Sequence, residues 1–237
     1  MASDDVSETT KDLRDRGLYD AMCALSAERV PGFEVRFKAE DPGQKMLAIF
    51  LKPFVPDYLT RFTTTLYPRV YFPTRSYVED HPGLAWKTLA HELVHLEDTQ
   101  RRPIVFPLSY LLPQVFAAVA LLAVLAPWFP LTWWALAALF AALPWPSPWR
   151  THWELRGYAM DLAITYWTTG RVSGGAQFVR LFTGWSYYRM MPNEAHVKAQ
   201  FEECGRWLAE TGFPFPDHRA PYEAVKDLLD SSQLPSD

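Results

Sequence analysis

His91 and His95 stand four residues apart, with Glu92 beside the first, in the run His91-Glu92-Leu93-Val94-His95. Residues at i and i+4 share one face of a helix, so the two imidazoles can close on a single divalent metal. Glu92 then lies where it can take a proton from metal-bound water. This is the core of a zinc hydrolase, provided a third protein ligand closes the site and one position stays open for water. The candidate third ligand is Glu154, in Thr151 to Ala163, a run that predicts a helix with Glu154, Tyr158 and Asp161 on one face. His152, Asp98 and Asp161 are its rivals. Asp98 belongs to the helix of the two histidines and is poorly placed to complete a tetrahedron with them.

The elements that must position these residues can be read around them. Leu84, Trp86, Leu89, Leu93, Val94 and Leu96 recur as a helix packed on a core would require, which predicts a helix from Gly83 to Gln100 started by Asp80 and Pro82. Upstream, Lys11 to Val30 predicts an amphipathic helix. The alternating runs Glu34 to Lys38 and Met46 to Leu51 predict strands, and Leu66 to Phe72 a third, ended by Pro73. Downstream, Ala176 to Met191 and Asn193 to Thr211 read as helices before a polar tail. Trp185, Tyr187, Tyr188 and His196 are the residues of chemical interest in that part.

Between Arg102 and Arg150 there is no charged side chain. Two apolar runs, Ile104 to Ala126 and Trp128 to Trp149, flank the break Pro127-Trp-Phe-Pro130, and the pattern predicts a helical hairpin. If fully helical, each run reaches about 30 Å, the thickness of a bilayer core. Prolines confine firm helix to Gln114–Ala126 and Leu131–Leu143, at about 20 Å each, which suits a shallow hairpin as well as a crossing one. Trp128, Trp133, Trp134, Trp145 and Trp149 cluster as interfacial belts do, and Arg101, Arg102 and Arg150 place both outer ends on the cytoplasmic side. The expectation is transmembrane or membrane-inserted helix, with a lipid bilayer as partner through residues 104–149. A buried hairpin or an oligomer contact is the alternative.

A net charge of −4 and the lack of any basic block with interleaved aromatics exclude a nucleic-acid partner. Cys23 and Cys204 are too few for a disulfide scaffold and wrongly spaced for a metal ribbon. Met1 to Arg16 has no apolar segment and does not read as a signal peptide, so the amino end and the catalytic part are expected on the cytoplasmic side of the membrane.

From His91 to about Ala163 the chain resembles the gluzincin metallopeptidases, in which HExxH on one helix is completed by a Glu on a later one. In order of parts it resembles the membrane-embedded gluzincins of the CAAX prenyl protease and heat-shock protease type, which set a hairpin between those helices. The resemblance implies one Zn²⁺ per chain on His91, His95 and Glu154, Glu92 as general base, and Asp161 orienting a ligating imidazole from outside the ligand set. In that group the Asp follows the Glu by four residues. Here that position is Tyr158, which can instead donate to the ligand carboxylate or to a developing oxyanion. The resemblance also makes Thr63 to Phe72 a sheet edge along which an extended peptide or protein substrate lies.

The expected fold is α+β and zincin-like: a small sheet, the HExxH helix, an apolar helical hairpin and a mainly helical C-terminal half. The expected segments are 1–102, carrying the HExxH helix; 103–149, the hairpin; and 150–237, completing the metal site. The expected function is that of a membrane-associated zinc metalloendopeptidase. The alternative is a non-catalytic membrane-inserting or phage or assembly protein whose zinc is structural.

Overall fold

The structure, a computed structural model, describes residues 2–52, 56–143, 145–185 and 189–233. It is mostly helical with one three-stranded sheet, a broadly α+β arrangement. The chain divides into two compact units, residues 1–101 with 217–237, and residues 102–216. This differs from the three expected segments: the hairpin groups with the helices that follow it, and the C-terminus groups with the first hundred residues.

In the first unit, α1 (Ala2–Arg29) packs along α5 (Pro82–Arg101). Leu18, Met22 and Ser26, at four-residue intervals on α1, and Val30 just beyond it are buried, as a face turned to the core requires. On α5 nearly every residue from Ala85 to Asp98 is inaccessible, Leu89, Leu93, Val94 and Leu96 completely so. At about 1.5–3 kcal/mol for each large apolar side chain, such burial outweighs any intrinsic propensity in holding α5 helical. Leu84, expected to face the core, is exposed. Glu97 is buried on α5 and accepts from Arg29 Nε at 2.5 Å and Arg101 Nη2 at 3.1 Å.

β1 (Glu34–Phe37) runs parallel to β3 (Arg69–Phe72), pairing Val35 with Val70, and β2 (Thr64–Leu66) runs antiparallel to β3, pairing Thr65 with Val70. The order is β1-β3-β2, so β2 is an edge strand. The expected single strand Leu66 to Phe72 instead folds back at Tyr67-Pro68, and its C-terminal half lies mid-sheet rather than at the edge. Met46 to Leu51, expected as a strand, belongs to helix α2 (Pro42–Leu51). Asp41 caps that helix, its carboxylate accepting from Gln44 N at 2.8 Å, and Pro42 supplies a φ already suited to the first turn. Short helices α3 (Tyr58–Arg61) and α4 (Arg75–Asp80) complete the links to α5.

The tail read only as polar forms helix α10 (Ala220–Gln233), packed on α1 and α5 through buried Tyr222, Val225 and Leu229. Their spacing of three and four is the signal that a reading by overall polarity passes over.

In the second unit, α7 (Pro148–Thr169), α8 (Gly175–Thr183) and α9 (Glu194–Thr211) enclose a core of Tyr158, Leu162, Phe178, Phe182, Phe201 and Leu208 with their neighbours. Ser147 caps α7 and Asn193 caps α9. α8 is shorter than the expected Ala176 to Met191. Before α7 come α6 (Val105–Tyr110) and two 3₁₀ helices, Gln114–Leu125 and Pro130–Ala142, which pair with each other.

The expectation of membrane-crossing helices is corrected here. Among the described residues no helix is long and apolar enough to cross a membrane. The physical reason is the proline pattern: Pro113 and the Pro127–Pro130 break leave helices of 12 and 13 residues, against roughly 20 needed for a span. The pair is nonetheless open to its surroundings, with Leu131 81% and Trp134 79% exposed.

Candidate metal centre

Because α5 is regular through His91 and His95, their rings fall on one face with centroids 5.1 Å apart, and their Nε2 atoms stand 3.3 Å apart. Zinc bonds of about 2.0–2.1 Å to two nitrogens at a tetrahedral angle require a nitrogen separation of about 3.3–3.4 Å. The two imidazoles therefore already hold the spacing such an ion demands. Both are buried. Glu154, in the second turn of α7, is buried as well, and one ligand atom from each of His91, His95 and Glu154 lies within 4.8 Å of the others. This buried group can hold a metal ion. Two imidazoles and one carboxylate form a donor set that suits zinc while also accepting other first-row ions.

Glu92, next to His91 on α5, is half-buried. Its Oε2 accepts from Thr65 Oγ1 on the edge strand β2 at 2.7 Å. Lys38, directly after β1, is buried near it: Nζ donates to the Tyr58 carbonyl at 3.0 Å and lies 3.9 Å from the centre of the Tyr58 ring. Burial pulls the Lys38 ammonium down to about 8, and the charge of Glu92 partly opposes that fall. The base candidate thus has a hydroxyl donor on one oxygen and a buried cation in its surroundings.

The Glu154 carboxylate accepts at Oε1 from the Tyr110 hydroxyl, at the end of α6. Neither Tyr110, Thr65 nor Lys38 is part of the HExxH pattern, and sequence reasoning missed all three. Tyr110 and Thr65 sat within stretches that read as membrane hairpin and substrate edge. Lys38 read as the polar end of a strand.

Tyr158 is a core residue, its ring 4.9 Å from Phe178 and 5.5 Å from Phe182 by centroids. Asp161 is half-buried, seven residues beyond Glu154 on the same helix. Of the rival ligands, His152 is exposed with its ring against Trp153, and Asp98 is buried on α5; neither joins the group formed by His91, His95 and Glu154. Trp185 and His196 are exposed, and Tyr187 and Tyr188 lie outside the described residues.

Comparison with known proteins finds no matching family model, no matching curated protein and no matching solved structure.

Proposed function

We propose that this chain is a zinc-dependent metalloendopeptidase with a zincin-like, gluzincin-type site, in which His91, His95 and Glu154 hold the ion and Glu92 is the general base. The observation that carries the reading is the buried three-residue group, with two imidazole nitrogens 3.3 Å apart, next in sequence to a half-buried carboxylate. Zinc bound there would polarise a scissile carbonyl and lower the pKa of water toward about 7. Glu92 takes the proton of the attacking water and returns it to the leaving amine. Thr65 holds Oε2 of Glu92, which leaves Oε1 to carry that proton. The substrate in this reading is an extended peptide segment, laid along the unpaired side of β2, where main-chain hydrogen bonds can form without reading side chains.

Lipid contact through residues 104–149 is part of the proposal as contact at a bilayer surface, without a crossing helix. Its support is the uncharged stretch and its exposed tryptophans, Trp128, Trp133 and Trp134.

The test is zinc stoichiometry and hydrolysis of a quenched peptide library by wild type, Glu92→Gln and His95→Ala. Glu92→Gln is expected to retain one zinc and lose turnover, and His95→Ala to lose both. Zinc bound to the wild type with no hydrolysis would favour a structural zinc, and undiminished zinc in His95→Ala would overturn the ligand assignment. Hydrolysis by Glu92→Gln at the wild-type rate would remove Glu92 as the base.

A further inference from the structure

Residues 103–149 carry no charge and only five hydroxyl or amide side chains apart from tryptophan: Ser109, Tyr110, Gln114, Thr132 and Ser147. Four of the five are hydrogen-bonded to α7. Ser147 caps its first turn, accepting from Arg150 N. Gln114 Oε1 accepts from Arg150 Nη2 at 3.3 Å, Ser109 Oγ accepts from Trp153 Nε1 at 2.9 Å, and Tyr110 donates to Glu154. Polar groups in an apolar segment are costly unless satisfied, and here they are spent on one turn and a half of one helix, ending at Glu154.

We infer that Tyr110 is the positioning residue for Glu154: its hydroxyl donates to Oε1 and so orients the carboxylate for the cation. The inference rests on the proposed metal site.

Tyr110 is itself held by two contacts to its ring and one to its main chain. Its ring stacks on Phe106 at 5.7 Å between centroids. The Arg150 guanidinium lies over it at 5.2 Å, and Arg150 Nε donates to the Tyr110 carbonyl at 3.0 Å. Phe106 in turn packs edge-on to Trp153 at 5.0 Å, and Ser109 Oγ, the acceptor for that indole, donates to the Phe106 carbonyl at 3.1 Å. A glutamate side chain has three rotatable bonds, and a ligand free to swing pays for its ordering at each binding event. A donor fixed by packing removes that freedom beforehand, which is why partners behind metal ligands commonly change affinity by about 10–100-fold. The hairpin's first helix then has a role in the chemistry of the site, separate from any contact its outer surface makes.

The experiment is a zinc titration of the full chain, stripped of metal, against a chromophoric chelator, together with the visible absorption of the Co²⁺ form. Wild type, Tyr110→Phe, Glu154→Gln and the double variant are compared. Tyr110→Phe is expected to weaken zinc by about 10–100-fold and to shift the Co²⁺ bands, a change that a purely structural tyrosine would not produce. In the Glu154→Gln background, Tyr110→Phe is expected to add little further loss, since the two act through one ligand. Wild-type affinity in Tyr110→Phe, with Glu154→Gln weakened, overturns the inference and leaves the metal site standing. No zinc on the wild type, or unchanged zinc on Glu154→Gln, overturns the metal site itself. Circular dichroism reports whether each variant folds. Should Tyr110→Phe not fold, Arg150→Gln, which keeps the phenol and loosens its clamp, is expected to weaken zinc in the same direction, and no change there overturns the inference.

Discussion

If His91, His95 and Glu154 hold zinc as proposed, removing one imidazole from α5 should abolish the stabilisation that zinc would confer. The His91 and His95 Nε2 atoms are 3.3 Å apart, so an ion at about 2.0–2.1 Å from each needs almost no change in either ring. The Glu154 oxygen lies within 4.8 Å of both, and must close by at most about 1.5 Å to reach the tetrahedral spacing. All three groups are buried, so little desolvation or ordering remains to be done on binding. With free zinc at about 1,000 times its dissociation constant, the folded state gains about 4 kcal/mol. In a chain of 237 residues each kcal/mol moves the midpoint by about 2–4 °C, so the expected upward shift is roughly 8–16 °C. Scanning calorimetry of chelator-stripped protein, with and without zinc, measures it. His91→Ala and His95→Ala should show no shift, Glu154→Gln a reduced one, and His152→Ala the full one. A full shift in either imidazole variant would refute the reasoning, because zinc would then be held elsewhere.

Three further outcomes are expected. Thr65→Val removes the donor to Glu92 Oε2 while keeping side-chain shape; steady-state kinetics on a peptide substrate should show kcat reduced about tenfold or more with KM little altered, and an effect confined to KM would place Thr65 in substrate binding. Lys38 has its folded-state value lowered by burial from 10.5 to about 8, so between those values the unfolded chain binds more protons and stability should rise with pH, the cost being fully present below about pH 8. Urea unfolding at pH 8 and pH 10 should show that rise in wild type and a weaker one in Lys38→Met; equal slopes would contradict it. Burial pushes the Cys204 thiol up to about 12 and raises that of Cys23, so maleimide labelling at pH 7.5 should be slow in the native protein and reach two thiols per chain in urea. Rapid native labelling of Cys204 would show that its part of the core opens readily.

What could be read along the chain was local. The HExxH helix was legible because its apolar positions and its two histidines obey one helical period, and α9 because Asn193 stands directly before a periodic run. β1 was legible from alternation over a few residues. Met46 to Leu51 alternates equally well, yet the cap by Asp41 and the proline after it make that stretch a helix, and alternation over so short a run cannot tell the two apart. The apolar hairpin was legible as a composition, while its prolines, distributed through it, limit each helix to a length below a span.

The site divides along the same line. His91, Glu92 and His95 are neighbours on one helix, so their chemistry is written in a pentapeptide. Glu154 was reachable as a carboxylate on a later helix, but its grouping with two imidazoles some sixty residues away in sequence is a property of the folded chain. Thr65, Lys38 and Tyr110 had no pattern to mark them. A hydroxyl on an edge strand, a lysine at a strand end and a phenol in an apolar run acquire meaning only from what lies within 3 Å or so of them. Periodicity reports which face of an element is buried; it carries no information about which distant side chain meets that face, and hydrogen bonds to Glu92 and Glu154 depend on that meeting alone.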